Sequence, residues 1–430
     1  MERKLHQYLA QSTVREQKEL KNLFPMSKEK FRVKDWLKIA ILASTAIPFS
    51  TVIFWKLGFH NAYLTMTVTG LAIVAAAYFL SWATESLQTV VSQAFALAIL
   101  ALVQVLPEYS FEIILAWKQE THFAVATMTG ANRLLMGLGW PLVFFVAFIS
   151  ARMKNLEFHE IALPKHQSVA IVFLLAASLY SFVIIFKQSI DLFDSAILIA
   201  IYALYLVVIL RLPPEENTLV ESDSTGSKIV ALTGAKKAVS VSLLLLFGFA
   251  VIFWGAEPFL ESLKDVAEKL GMDQFVFIQW FAPFLSEFPE SLTAFIWAST
   301  ITLAAMGLAN LITSKLNQWT LLVASIPIFY SLSKGCASSI PLETLQVREV
   351  LLTTAQTIYG AVCMFGLKFK TRHAVTLLAL FLTQFFIPDT RLAVTFLFTA
   401  LIFVELFLQR RNICVFRHFY NEVFKKKALQ

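Results

Sequence analysis

The sequence predicts an all-α, polytopic membrane protein, and three observations predict it. Of the 430 residues, 57% are hydrophobic and only 15% are charged, against about 25% charged in a soluble domain. The apolar residues gather in runs long enough to cross a bilayer as helices, which takes roughly 20 residues. Lysine and arginine are unevenly shared among the segments that join those runs. The runs lack the alternation of a membrane strand, so helices are the expected spanning element.

Twelve apolar spans are read, near 36–56, 62–83, 90–116, 124–150, 168–187, 192–210, 238–258, 274–297, 300–330, 349–367, 373–388 and 391–408. Those at 90–116, 124–150 and 300–330 are longer than a perpendicular crossing needs, which predicts tilt or a break. An even number of spans puts both termini on one side. With the N-terminus inside, the inside segments hold about 26 of the 36 Lys and Arg: ten as far as Lys38, three in 151–167, four in 211–237, three in 368–372 and six from Arg410 onward. About eight lie outside, and Arg133 and Lys315 fall within spans. Cytoplasmic loops carry this excess, so both termini are expected in the cytoplasm, and the cell (plasma) membrane is the expected location.

The longest central polar stretch, 211–237, opens with Arg211-Leu212-Pro213-Pro214-Glu215-Glu216 and turns rich in Ser, Thr and Gly. It reads as a flexible cytoplasmic linker, too short for a folded regulatory domain. The expected organisation is a basic tail (1–35), an extra helix (36–61), a first repeat (62–210), the linker (211–237), a second repeat (238–388), a second extra helix (389–409) and a basic tail (410–430).

Several function classes are disfavoured. The net charge of +7 sits at the two ends and in short loops, where it serves topology, so no nucleic-acid partner is expected. Cys336, Cys363 and Cys414 are scattered with no CxxC, and His159 and His166, seven apart, read as solvated loop histidines; neither a disulfide framework nor a zinc site is expected. The chain lacks HExxH, GxSxG and GxxxxGK[ST] motifs, which argues against an intramembrane hydrolase and against ATP coupling. Residues 1–35 are polar, so no cleavable signal peptide is expected there. No protein partner is deducible.

The chemistry lies in a repeat. Leu106-Pro107-Glu108 stands inside an apolar span, and Phe288-Pro289-Glu290 stands in the same setting 182 residues later. Downstream of each lies a run of small and polar residues, Ala126-Thr127-Met128-Thr129-Gly130-Ala131-Asn132 and Ala309-Asn310-Leu311-Ile312-Thr313-Ser314-Lys315, offset by 183. Upstream, Trp82-Ala83-Thr84-Glu85 pairs with Trp254-Gly255-Ala256-Glu257. By the span order the two Pro-Glu spans run in opposite directions, so the repeats are expected to be inverted, an architecture that suits alternating access around a midplane site.

A carboxylate at the centre of a span costs about 2.5–3.5 kcal/mol on insertion scales, and two at matched positions suggest a shared use. Each preceding proline lacks an N–H and disturbs the helix one turn back, freeing carbonyl oxygens. Carboxylates with carbonyls, amides and hydroxyls suit a hard cation such as Ca²⁺. The competing reading is that each Glu is protonated, or hydrogen-bonded as structural glue. Glu112, four residues after Glu108 on the same helix face, reads equally as an acid behind the site or as a residue at its mouth.

On these residues the sequence resembles the cation/Ca²⁺ exchanger superfamily of the sodium/calcium exchanger type. The resemblance covers most of 62–388. It implies two inverted five-helix repeats, each with a Gly-Thr-Ser-Leu-Pro-Glu-like segment followed by a Gly-Asn-x-x-Gly-Ser-Asn-x-x-Asn-like one, with one extra transmembrane helix at each end. It implies cation antiport, Ca²⁺ or a related cation for Na⁺ or H⁺, with inorganic cations and the bilayer as partners and no cofactor. The family's ligand glutamates fall on Glu108 and Glu290. Its Thr and Ser before the first Leu-Pro-Glu fall on Gln104 and Val105, and in the second repeat on Ser286 and Glu287. Its Ser in the second segment falls on Ala131 and Ser314, and its final Asn or Asp on Leu135 and Gln318. The expected cation ligands are therefore Glu108, Glu290, Glu287, Ser286, Gln318, Gln104 and Ser314.

The departures are chemical. Leu135 removes a polar ligand, Gln318 replaces another, and Glu287 adds a carboxylate. Arg133 and Lys315 read either as side chains snorkelling to an interface or as tethered cations near the carboxylates, filling a place that Na⁺ takes in relatives. The loss of neutral oxygens favours H⁺ over Na⁺ as the coupling ion. It also leaves open a non-transporting protein that keeps the fold with a degraded site.

Overall fold

The computed structural model describes residues 38–40, 43, 61–85, 93–212, 234–410 and 413–424. Most of the extra N-terminal span, the N-terminal tail and most of the 211–237 linker lie outside the described residues.

The two halves run through the same order of elements. The first has α1 (Ala62–Glu85), α2 (Gln93–Gln104), α3 (Leu106–Trp117), α4 (Thr121–Leu134), a π-helical turn (Leu135–Gly139), α5 (Trp140–Met153), β1 (Glu160–Ala162), α6 (Gln167–Lys187), β2 (Ser189–Ile190) and α7 (Leu192–Leu210). The second has α8 (Gly234–Lys269), α9 (Gln274–Ser299), a 3₁₀ turn (Ile301–Leu303), α10 (Ala304–Asn317), a π-helical turn (Gln318–Leu322), α11 (Val323–Lys334), β3 (Ile340–Pro341), α12 (Thr344–Cys363), β4 (Lys368–Lys370) and α13 (Thr371–Phe386). Then α14 (Arg391–Gln409) packs on α12, and a short helix α15 (Val415–Phe424) packs on α6. The two π turns stand at matched places, and such turns often mark functional sites.

The strands tie the halves together crosswise. β1 pairs antiparallel with β4, Ile161 opposite Phe369, and β2 pairs with β3, Ser189 opposite Pro341. Because β1 precedes α6 and β2 follows it, the two ladders lie at opposite ends of a 21-residue helix, about 30 Å apart.

Large apolar side chains face outward, while the otherwise apolar core also holds charges. Phe186, Leu246, Phe396, Phe403 and Phe407 are exposed, while Glu108, Glu112, Arg133, Glu287, Glu290, Lys315 and Glu349 are buried. An apolar exterior, with charged groups confined to the interior, is what a hydrocarbon solvent selects. Among the described residues six helical stretches are long and apolar enough to cross a membrane: 62–80, 121–153, 167–187, 192–210, 236–269 and 388–409. A seventh is counted if α2 and α3 form one span. The twelve expected spans are thus reached only in part by length and apolarity; α9 to α13 hold much of the buried polar material and are shorter or less apolar.

The expected breaks appear unequally. Ala98–Gln104 and Leu106–Trp117 meet at an angle of 49°, with Pro107 in the first turn of α3, where a proline costs no hydrogen bond. In the second copy Pro283 and Pro289 lie inside one continuous helix, α9. Small residues then let α9 wedge tightly between its neighbours. A Cβ on Gly130 would fall on the carbonyl oxygen of Gln279, and one on Gly307 would stand 2.7 Å from that of Ala294. Another correction concerns His166, read as solvated; it is buried just before α6.

Candidate cation site

Glu108 sits in the first turn of α3, directly after the bend, where the helix dipole favours negative charge. Glu290 follows Pro289 within α9. They are 2% and 1% exposed, and none of their four carboxylate oxygens is hydrogen-bonded among the described residues. The Ser286 hydroxyl stands beside Glu108, the Ser314 hydroxyl stands beside Glu290, and the two carboxylates lie within electrostatic reach of each other. Glu287 is also buried and within reach of both. Its Oε1 accepts from Gln318 Nε2 at 3.1 Å, and its Oε2 has no partner.

The remaining expected ligands frame this region. Gln104, the last residue of α2, accepts from Asn310 Nδ2 through its Oε1 at 3.1 Å. The Oδ1 of Asn310 and the Oε1 of Gln318 are buried without a partner. Tyr109 donates to Asn317 Oδ1 at 2.7 Å, and Asn317 Nδ2 donates to the Ala101 carbonyl at 3.3 Å, which ties α3 and α2 to α10 beside the bend. Of the two readings of Glu112, the mouth residue is excluded: it is 1% exposed and accepts from Thr127 at 2.6 Å. All these donors are oxygen, as a hard cation prefers. Among the described residues no three acidic, histidine or cysteine groups close on a point as a metal cage, so any cation here relies on hydroxyl and amide oxygens as well.

The snorkelling reading of Arg133 and Lys315 is overturned, since both are fully buried. Lys315 Nζ donates to Asn132 Oδ1 at 2.7 Å and to its carbonyl at 3.0 Å, and lies 4.9 Å from the centre of the Trp319 ring. Asn132 and Lys315 occupy matched positions in the two halves, so the matched residues touch each other where α4 and α10 cross. Glu287 is the acid within electrostatic reach of Lys315. Arg133 serves elsewhere. It pairs with Glu349 and donates to Gln384 Oε1 at 2.9 Å. Glu349 also accepts from Arg391 at 2.8 Å and from Gln279 at 2.8 Å. Sequence reading missed this cluster because the spans at 349–367 and 391–408 open on Glu349 and Arg391, which marks both as boundary charges. The unmatched Arg133 within a span was the available signal, since a buried charge requires a partner.

The sodium/calcium exchanger protein model matches residues 61–211 and 240–404. Among solved structures, the crystal structure of the H⁺/Ca²⁺ exchanger CAX superposes with a TM-score of 0.83 at 34% identity, covering 91% of this chain and 99% of that one. The sodium-calcium exchanger NCX_Mj, soaked with 2.5 mM Na⁺ and 0.1 mM Sr²⁺, has a TM-score of 0.53 at 17% identity, covering 75% of this chain and 98% of that one. The same protein soaked with 100 mM Na⁺ and 10 mM Sr²⁺ gives 0.52 at 17% identity, covering 75% and 97%. A comparison with curated proteins finds no match. The NCX_Mj likeness concerns the fold; the family match, with the CAX likeness, places the chain by descent. The chain belongs to the sodium/calcium exchanger protein family of the cation/Ca²⁺ exchanger superfamily.

Proposed function

We propose that this membrane protein is a secondary antiporter that exchanges Ca²⁺, or a closely related cation, for H⁺, with Glu108 and Glu290 as the principal cation ligands near the bilayer midplane. The observation that carries the reading is the pair of buried carboxylates without hydrogen bonds among the described residues, each following a proline at matched places in the two halves. Desolvated carboxylates without partners are costly, and a cation or proton relieves that cost. The halves are inverted repeats, and alternating access comes from their relative motion; the crosswise pairing of β1 with β4 and β2 with β3 supports this. Glu287, Ser286, Ser314, Gln318 and Gln104 complete the donor set. Both termini are cytoplasmic.

Protons rather than Na⁺ are the coupling ion because Val105, Ala131 and Leu135 supply no side-chain oxygen where the family carries polar ligands. Crowded carboxylates in a low dielectric relieve repulsion by taking up protons when a cation leaves. The likeness to an H⁺/Ca²⁺ exchanger across 91% of the chain supports the same choice. Lys315 acts as a tethered cation that offsets one of the three carboxylates. The test is uptake of radiolabelled Ca²⁺ into proteoliposomes under an imposed pH gradient without Na⁺, then under a Na⁺ gradient without a pH difference. Uptake in the first condition and little in the second is expected; strict dependence on Na⁺ refutes proton coupling. A second reading, a non-transporting protein with the exchanger fold, draws on the same apolar replacements and on the absence of a preformed three-acid cage among the described residues. It requires no flux under either gradient.

A further inference from the structure

A separate cavity of about 570 Å³ opens at the β1–β4 end of the bundle. Its lining includes Lys368, Lys370, Arg372, Gln409, Cys414 and Arg417, drawn from β4, the start of α13, the end of α14 and α15. Four cations surround one concavity, and two of them have local counter-charges. Lys368 pairs with Glu160. Arg372 donates to Glu405 Oε1 at 2.5 Å, and Glu405 is further held by His373 and Gln409. Lys370 and Arg417 make no ion pair among the described residues, so within that set the cavity keeps two uncompensated positive charges, which a phosphate group would match.

The surroundings say where that phosphate comes from. In α15, Phe416, Tyr420 and Phe424 recur every four residues and are all exposed, forming an aromatic stripe, while Val415 is buried and Phe419 packs on Phe173. A short helix with one aromatic face and a basic residue beside it lies in the headgroup region of a bilayer. The cavity stands where α12 and α14 end and α13 begins, which in a spanning bundle is headgroup depth. By the Lys/Arg distribution, and so by the topology proposed above, this end is cytoplasmic, where anionic lipids concentrate.

We infer that this cavity binds a phosphate group, and that its source is the headgroup of an anionic lipid, held by Lys370 and Arg417 and anchored beside the α15 aromatic stripe. Such a lipid joins α13, α14 and α15, so it steadies the C-terminal end of the exchanger without touching the carboxylate site.

The purified full chain in detergent is titrated with a short-chain phosphatidylglycerol, with a short-chain phosphatidylcholine and with inorganic phosphate, and the thermal unfolding midpoint is read at each concentration. A saturable rise is expected with phosphatidylglycerol and none with phosphatidylcholine. In the Lys370→Gln/Arg417→Gln double variant the half-saturating concentration is expected to rise about 30-fold, from about 1 kcal/mol per basic residue. The charge-conserving Lys370→Arg/Arg417→Lys variant should keep the wild-type response, which separates loss of charge from misfolding. An equal rise with inorganic phosphate alone would make the site one for a free anion and overturn the lipid assignment. No rise with either anion, or an unchanged response in the Gln variant, overturns the site. Because the readout is binding, these outcomes stand apart from whether the protein transports Ca²⁺.

Discussion

The interior holds two regions of buried charge that differ in one respect. Around Glu349 every carboxylate oxygen is engaged: Arg391 reaches Oε1, while Arg133 and Gln279 reach Oε2. Around Glu108 and Glu290 no carboxylate oxygen is hydrogen-bonded among the described residues. Both regions cost desolvation energy, and only the first recovers it within the protein. A buried acid that is fully partnered holds helices together, here α4, α9, α12 and α14. A buried acid left without partners is poised for something that arrives from outside the fold. The comparison assigns structure to Glu349 and, on the reading proposed above, transport to Glu108 and Glu290.

That division is open to direct tests. The largest effect is expected at the unpartnered pair. Glu108→Gln or Glu290→Gln should lower Ca²⁺ uptake on the order of 100-fold, since affinity for a hard cation follows the number of charged ligands, while the unfolding midpoint stays level or rises. Wild-type uptake in either variant would remove these carboxylates from the cation path. Glu349→Gln should do the reverse. Leaving two buried guanidinium groups with a neutral partner is expected to destabilise the fold by about 3–5 kcal/mol, read by thermal or denaturant unfolding, with transport per folded molecule largely kept. If stability is unchanged and uptake is lost, the two regions have been assigned the wrong way round.

Lys315 lies between the two cases, satisfied by Asn132 yet facing Glu287. Removing its charge in Lys315→Met should leave one more carboxylate to be neutralised per cycle, so the charge moved per Ca²⁺ shifts by about one. Reversal-potential measurements in proteoliposomes read that shift, and Lys315→Met/Glu287→Gln should restore the wild-type value. An unchanged charge ratio in the single variant would leave Lys315 as packing.

The smallest effect is expected where a partnered acid stands at the surface. Asp191 caps α7, accepting from the backbone N–H groups of Phe193 and Asp194 and from Lys187. Lys187 beside it holds its carboxyl below the ordinary carboxylate value, against a smaller opposing effect of burial. Asp191→Ala should cost about 1 kcal/mol, the usual worth of a cap. A depressed carboxylate contributes stability above its unfolded pKa and loses it as the pH falls through the folded value. The difference between wild type and variant should therefore be full at neutral pH and close in acid, below about pH 4. A difference that persists in acid would show that the cap works by something other than charge.

What could be read in advance follows from what is local. Glu108, Glu287, Glu290 and Lys315 stood out because each places a charge in a run that should be apolar, and the two Pro-Glu sites repeat at a fixed offset. The bend before Pro107 was legible for the same reason, since proline acts on its own helix. The close approach of α9 to α4 and α10 at Gly130 and Gly307 was not, because it is a contact between segments that no single run encodes. The pairing of Lys315 with Asn132 was likewise hidden. The fixed offset identifies the two as matched, but not that α4 and α10 cross at that point.

The sequence by itself determined the solvent, the helical class and the acids that need explaining. Each of these rests on transfer energies and backbone chemistry that act within a few residues. Only the tertiary structure decided which charges were answered. Arg133 and Glu349 are 216 residues apart, and the choice between a snorkelling side chain and a buried ion pair depends on whether a partner from another helix arrives. Partner geometry comes from helix packing, which no single span encodes, and in a low-dielectric interior it separates acids that are braced from acids that are left without a hydrogen bond.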